Sequence, residues 1–314
     1  MFSRPGHKKS VGFALPNQRF KSFIFMPIET GDGANRSRQR PFLETIKFRD
    51  IPQRILDEIL EVLRKFAVSI TVIHRERDLF QGSCTCVKYK GQHFLFTAAH
   101  VWEELKAFEQ LGLVVCRRPS STVKIRTQEL KPIIIGKSEN GTWNEWGPDI
   151  AFLELSDAAA ENIKVFRKFW DLGNKCEISA PLQGIGIAWV IMGAPDERIT
   201  QIGGIPNIEM RASICPAHAV CMRSGFDYVD LLSDTTIPKA LRTHGGMSGS
   251  GLWRIRLLRN RDGNLAWAMN ELSLEGIAFW EELKPTVNGC RIIRCHGRKS
   301  LYGEGLAAID AFLQ

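Results

Sequence analysis

Residues 243–253 read THGGMSGSGLW and set two serines, Ser248 and Ser250, among four glycines. A run of this composition makes either a flexible linker or a tight turn that presents a hydroxyl. A serine hydroxyl is a poor nucleophile at neutral pH and needs a base beside it. Imidazole suits that task, because its ordinary pKa of about 6.5 lets it take and return a proton near neutrality. His100 closes the apolar stretch HFLFTAAH. As a base it needs a buried carboxylate on its far ring nitrogen, to fix the tautomer and stabilise the imidazolium. Asp149, just ahead of the apolar run IAFLEL, is placed to be held away from water. The three residues stand in the order His, Asp, Ser, separated by 49 and 99 residues.

Elements of two kinds must hold these side chains. Residues 51–66, IPQRILDEILEVLRKF, repeat Ile51, Ile55, Leu56, Ile59, Leu60, Leu63 and Phe66 at helical spacing. Asp50 is the expected N-cap, with Pro52 in the first turn and Gln53 three residues after the cap. From residue 67 the pattern changes to short β-branched and aromatic runs: AVSITVIHRE, CTCVKYK, HFLFTA, TVKIRTQ, PIIIGK and DIAFLEL. Residues 157–171, DAAAENIKVFRKFWD, return to helical composition and predict a crossover. Strand signals resume from GIGIAWVIMGAP, run on through LAWAMNELSLEGIAFW and end at CRIIRC, and GEGLAAIDAFLQ predicts a terminal helix. The expected organisation is a basic arm with an amphipathic helix over 1–66, then an all-β domain over 67–314. That domain is expected as two six-stranded β-barrels, about 67–156 and about 176–302, joined by a crossover over 157–175 and closed by a helix over 303–314.

The composition, 44% hydrophobic and 24% charged, is that of a globular chain with a sizeable core. No apolar run approaches the roughly 18–20 residues that a membrane helix needs. The first residues lack an apolar segment followed by a small-residue cleavage site, so a cytoplasmic protein without a membrane partner is expected. The eight cysteines, Cys84, Cys86, Cys116, Cys176, Cys215, Cys221, Cys290 and Cys295, are expected as reduced thiols. Cys84 and Cys86 are too close for a Cys-x-x-Cys pair, and Cys290, Cys295 and His296 lack a matching second pair, so no metal is expected. The net charge of +8 is uneven: residues 1–50 carry ten Lys/Arg against four Asp/Glu. Such an arm suits nucleic acid or an acidic partner. It lacks the interleaved aromatics of single-strand binders, and a solvated basic tail is the favoured reading.

The motifs TAAH at His100, PDIA at Asp149 and GMSGS at Ser248, in this order and in strand context, resemble those of the chymotrypsin-fold (trypsin-like) serine peptidases of microbial or intracellular type. QGSCTCV stands at the place of that family's Gly-Ser-Gly hairpin. LEGIAFW, residues 274–280, resembles the strand that lines its substrate cleft. The resemblance covers residues 67–314. It implies a serine endopeptidase of a protein or peptide substrate, acting through an acyl-enzyme with His100, Asp149 and Ser248 as its triad and no cofactor. In that architecture the oxyanion is bound by the N–H of the nucleophile and the N–H two residues before it. The latter position demands glycine. Gly246 meets the demand for Ser248, whereas for Ser250 the residue would be Ser248 itself.

The implied cleft is bounded by Arg242, Thr243, His244 and Gly245 on one side and by Phe279, Trp280 and Glu281 on the other. Their charges oppose: Glu281 favours a basic substrate group, and Arg242 and His244 an acidic one. Phe279 takes the place of a small polar residue that in the family supports the triad carboxylate. Met247 takes the place of an acid that, in digestive members, pairs with a newly cut N-terminus. Activation by that route is not expected, and residues 1–66 become the expected regulatory contact. Two alternatives are an inactive binding module on the same fold, and a peptidase tethered to nucleic acid by its arm.

Overall fold

The computed structural model describes residues 51–314, apart from 75–76, 116–121, 137–142, 175–185, 203–204, 236–240, 260–261 and 283–288. The basic arm, the expected cap Asp50, Cys116 and Cys176 therefore lie outside the described residues.

The expected first helix is α1, Gln53–Leu63, shorter at both ends than the apolar pattern. Pro52 takes an extended backbone (φ −56°, ψ 137°), so the helix begins after it, with no side-chain cap. The apolar stripe of α1 buries Ile55, Leu56, Ile59 and Leu63.

The rest is an all-β fold of two antiparallel sheets, each curled as a half-barrel. The first sheet contains β1 (Ala67–His74), β2 (Arg77–Tyr89), β3 (Gln92–Thr97), β4 (Gln110–Val114), β5 (Thr122–Arg126), β6 (Lys131–Ile135) and β7 (Ile150–Glu154). Its order is β5-β4-β1-β2-β3-β7-β6. A short helix, α2 (Ala99–Leu105), follows β3. The crossover helix α3 is Asp157–Lys164, started by the Ser156 hydroxyl, which accepts the Ala159 N–H at 3.3 Å. It is shorter than the composition implies because Trp170 and Asp171 leave it to form β8, parallel to Val87 and Lys88 of β2.

The second sheet contains β9 (Gly186–Gly193), β12 (Arg211–Cys215), β13 (Ala217–Arg223), β14 (Phe226–Asp234), β15 (Gly251–Arg259), β17 (Leu272–Glu281) and β18 (Cys290–His296). Its order is β12-β9-β15-β17-β18-β14-β13, with the two-residue β16 (Leu265–Ala266) on β15. Strands β10 (Ile199–Ile202) and β11 (Ile205–Ile208) form a separate ribbon. Counting β8 and β16, each sheet holds eight strands, against the six expected per barrel. The long apolar stretch 265–280 is divided between β16 and β17 by a tight turn over Met269–Glu271. The terminal helix α4 is Leu306–Phe312, after a wide helical turn over Ser300–Gly305.

The two-residue period of strands separates three cores. On β3, Leu95 faces the interior of the first half with Val68, Ile70, Leu113 and Leu153. On β15, Leu252 faces the interior of the second half with Ile191, Leu231 and Ile293. Their neighbours Phe94, Phe96 and Trp253 face the opposite way, into a third core that joins both sheets to α1 and α4. There Phe66, Trp170 and Trp253 meet with ring centroids 5.1–5.5 Å apart.

Candidate active site

His100 stands in the first turn of α2, three residues beyond the end of β3. Asp149 immediately precedes β7, the neighbour of β3, so sheet pairing brings the two residues together. The Asp149 side chain is 1% exposed and its carboxylate takes both donors that His100 offers. Oδ1 accepts the His100 backbone N–H at 2.9 Å and Oδ2 lies 2.6 Å from Nδ1. Burial on its own would lower the His100 pKa. The hydrogen bond and charge of Asp149 more than offset it, Glu104 adds to them, and the result is a raised pKa. The His100 ring keeps 21% of its surface exposed, with Trp143 6.4 Å away between ring centroids.

The glycine-rich stretch is a turn wedged onto the first sheet. Its carbonyls are held from β2: Ser83 N–H donates to the Ser248 carbonyl at 3.0 Å, and Ser83 Oγ donates to the Gly246 carbonyl at 2.9 Å. Gly249 has φ +88°, and a Cβ there would fall 2.0 Å from the Ser83 carbonyl and 2.3 Å from Thr97 Oγ1. Only glycine permits that approach, and it seats the turn on the strand that leads to His100. At Gly82 a Cβ would stand 3.1 Å from Val101 of α2 and 3.4 Å from the Ser248 carbonyl.

The N–H groups of the turn are used selectively. Gly245 N–H donates to Thr243 Oγ1 (3.1 Å), Met247 N–H to the His244 carbonyl (2.9 Å), Gly249 N–H to Ala278 (2.9 Å) and Ser250 N–H to Met247 (2.9 Å). Gly246 N–H and Ser248 N–H have no acceptor among the described residues. Gly246 is at φ +79°. The two serines also differ in access. Ser250 is fully buried and its hydroxyl has no partner among the described residues, whereas Ser248 is partly exposed. Met247 is 1% exposed in the interior core of the second half, a setting that would disfavour an acid.

Sequence reasoning overlooked His296 at this site. Asp149 N–H donates to His296 Nε2 at 3.0 Å, so Nε2 is the acceptor and the proton belongs on Nδ1. Nδ1 has no partner among the described residues. Burial lowers the pKa of His296 to about 3, which keeps the ring neutral. Phe279 stacks on it, with centroids 4.3 Å apart and planes at 19°. Two other side chains of the second sheet hold the same loop. Tyr228 OH donates to the Trp146 carbonyl. Arg294 donates to the Glu145 carbonyl at 3.1 Å, covers the Trp146 ring at 3.6 Å, and forms a two-point ion pair with Asp230 (2.8 and 3.0 Å). Arg294 and His296 lie two apart on β18 and so share one face. No local motif marks His296, and the one trace in the sequence is Phe279, which stands where a polar support was expected.

The opposing charges of the expected cleft meet one another. The Glu281 carboxylate accepts the His244 N–H at 2.9 Å and the Thr243 hydroxyl at 3.3 Å. His244 Nδ1 is 3.2 Å from it and Arg291 Nη1 3.3 Å. Burial would raise the Glu281 pKa, but these donors lower it overall. Nε2 of His244 faces Ser213 Oγ at 3.0 Å. Arg242 is exposed, its N–H bound to Glu197 at 3.0 Å. Gly245 lies under Asp196, whose carboxylate would be 2.8 Å from a Cβ there. Trp280 is partly exposed, 5.0 Å from the Arg294 guanidinium. Neither Glu281 nor His244 is left as an unpaired charge for a substrate.

Among the described residues no three His, Cys, Asp or Glu side chains group as metal ligands. Cys84, Cys86, Cys215 and Cys295 are buried free thiols, and burial pushes Cys86 and Cys215 up to about 12. No described helix is long and apolar enough to cross a membrane.

No family model and no curated protein matches the chain. Among solved structures it is similar to Rv3671c from M. tuberculosis H37Rv, in a mutant, inactive form: 13% identity over 86% of this chain and 97% of that one, TM-score 0.44. It is also similar to a structure from work on the coupled folding and binding of the Sesbania mosaic virus VPg protein: 14% identity over 76% of this chain and 88% of that one, TM-score 0.39.

Proposed function

We propose that this protein is a serine endopeptidase that cleaves a protein or peptide substrate through an acyl-enzyme. The observation that carries the reading is a buried carboxylate paired to His100, beside a turn in which two N–H groups have no acceptor among the described residues. Ser248 Oγ attacks the scissile carbonyl while His100 Nε2 takes its proton. Asp149 holds Nδ1–H and stabilises the imidazolium that forms. The N–H groups of Gly246 and Ser248 receive the oxyanion, whose charge develops in the transition state, where such donors act most strongly. His100 then gives its proton to the leaving amine. Water, activated by the same imidazole, releases the acyl group and restores the serine. The chemistry requires no metal or organic cofactor.

The test is labelling with a fluorophosphonate, which reacts with an activated serine. Wild type should label at Ser248, and Ser248→Ala should not. Labelling that persists in Ser248→Ala, or maps to Ser250, sinks the assignment. A folded wild type that resists the probe returns the protein to the binding-module reading.

A further inference from the structure

We infer that His296, with Phe279 stacked on it, positions Asp149, and that this pair replaces the polar side chain expected to support the carboxylate. The inference rests on the proposed triad. Phe279 occupies the support position and has no polar atom in its side chain. Every described hydrogen bond to the Asp149 carboxylate comes from His100. A further anchor of the residue is its backbone N–H, and His296 Nε2 accepts it at 3.0 Å.

The choice of group has a consequence for the chemistry. A further donor to the carboxylate would draw off part of the charge that stabilises the His100 imidazolium. An acceptor for the backbone N–H fixes the same residue and leaves that charge undivided. The arrangement also ties the first sheet to the second. His296 and Arg294 of β18, with Tyr228 of β14, hold residues 149, 145 and 146. Gly147 lies so close that a Cβ would be 3.0 Å from His296 Nε2. The imidazole is a poor choice for stability alone, since its Nδ1–H is buried without an acceptor among the described residues. A phenyl ring would fill the space without that donor.

Two substitutions separate positioning from packing. His296→Phe keeps an aromatic face for Phe279 and removes the acceptor. His296→Gln returns an acceptor oxygen near Nε2. The readouts are the fluorophosphonate labelling rate of Ser248 against pH and concentration, and the titration of the His100 ring by NMR. His296→Phe should slow the limiting labelling step about ten- to a hundredfold, the scale of a misplaced catalytic group. The half-saturating probe concentration should stay nearly unchanged. The acid limb and the His100 midpoint should both move to lower pH, and His296→Gln should recover most of each effect. An unchanged limiting rate and midpoint in His296→Phe overturn the inference. So do equal losses in both variants with an unmoved His100 midpoint, which would mark a packing role only. If wild type does not label, the peptidase reading fails on its own, and the NMR midpoint still decides whether His296 positions Asp149.

Discussion

His100 lies between two opposing influences, burial that favours its neutral form and the Asp149 carboxylate that favours its charged one, and the carboxylate prevails. In the proposed role of general base the ring must be neutral. A raised pKa therefore means that activity falls as pH drops through a midpoint above the ordinary imidazole value of about 6.5. Asp149→Asn removes the raising influence and leaves burial. The acid limb should move to lower pH, and the rate at neutrality should drop by up to about ten-thousandfold, because the tautomer is no longer held. A pH profile of fluorophosphonate labelling in both proteins checks this, and an unmoved limb contradicts it. At this scale the sequence was informative where a role rests on contiguous residues. TAAH, PDIA and GMSGS each carry their own neighbours, so His100, Asp149 and Ser248 could be singled out. His296 could not, because its partner is a backbone N–H 147 residues away and no local motif records it. The only trace was indirect, in Phe279 standing where a polar support was expected. The opposing charges of Glu281 and His244 were visible as well, but that they satisfy each other is a property of β17 meeting the turn.

Among the elements, the turn over 243–251 depends most on backbone conformation. Gly249 and Gly91 have nearly the same φ, +88° and +82°, yet differ in surroundings. A Cβ at Gly91 meets nothing within 4 Å, whereas at Gly249 it would strike the Ser83 carbonyl and the Thr97 hydroxyl. Gly91→Ala should thus incur only the left-handed backbone penalty of about 1–2 kcal/mol. Gly249→Ala should lose clearly more stability, and it should also slow labelling of Ser248 by pushing the turn off β2. Urea unfolding of the two variants gives the comparison, and equal losses would refute the wedge. The strands were legible from their short β-branched and aromatic runs, α1 from its apolar spacing and α3 from its composition. Helix lengths were not. Composition does not record that Pro52 is extended or that Trp170 pairs with Val87. Treating residues 1–66 as one appendage also obscured the role of α1, whose buried stripe completes the core shared by the sheets. A truncation that tests the basic arm should stop before Ile51, since removing α1 would expose that core.

For the whole molecule, the two sheets are joined by a shared apolar core and by the grip of Tyr228, Arg294 and His296 on the loop that ends in Asp149. The second junction gives the fold a defined response to acid. His296 has a folded-state pKa of about 3, against an ordinary value of about 6.5 in the unfolded chain. Between those values the unfolded state binds the proton and the folded state does not. The stabilising contribution is therefore fully present above pH 6.5 and is lost as pH falls toward 3, with a limiting slope of about 1.4 kcal/mol per pH unit. His100 acts with the opposite sign. Its raised pKa adds stability on the acid side, and that part disappears as pH rises through its midpoint. The His296 contribution is read from the difference between wild type and His296→Phe, since carboxylates titrating near pH 4 are common to both proteins and the shift of the His100 midpoint, followed by NMR, is subtracted. Wild type should lose stability faster than the variant between pH 6.5 and 4.5, so that the gap between their urea midpoints changes steadily over that range. Parallel curves would mean that His296 takes up its proton without opening the junction, and the hold of the second sheet on the loop that ends in Asp149 would then have to rest on Tyr228 and Arg294.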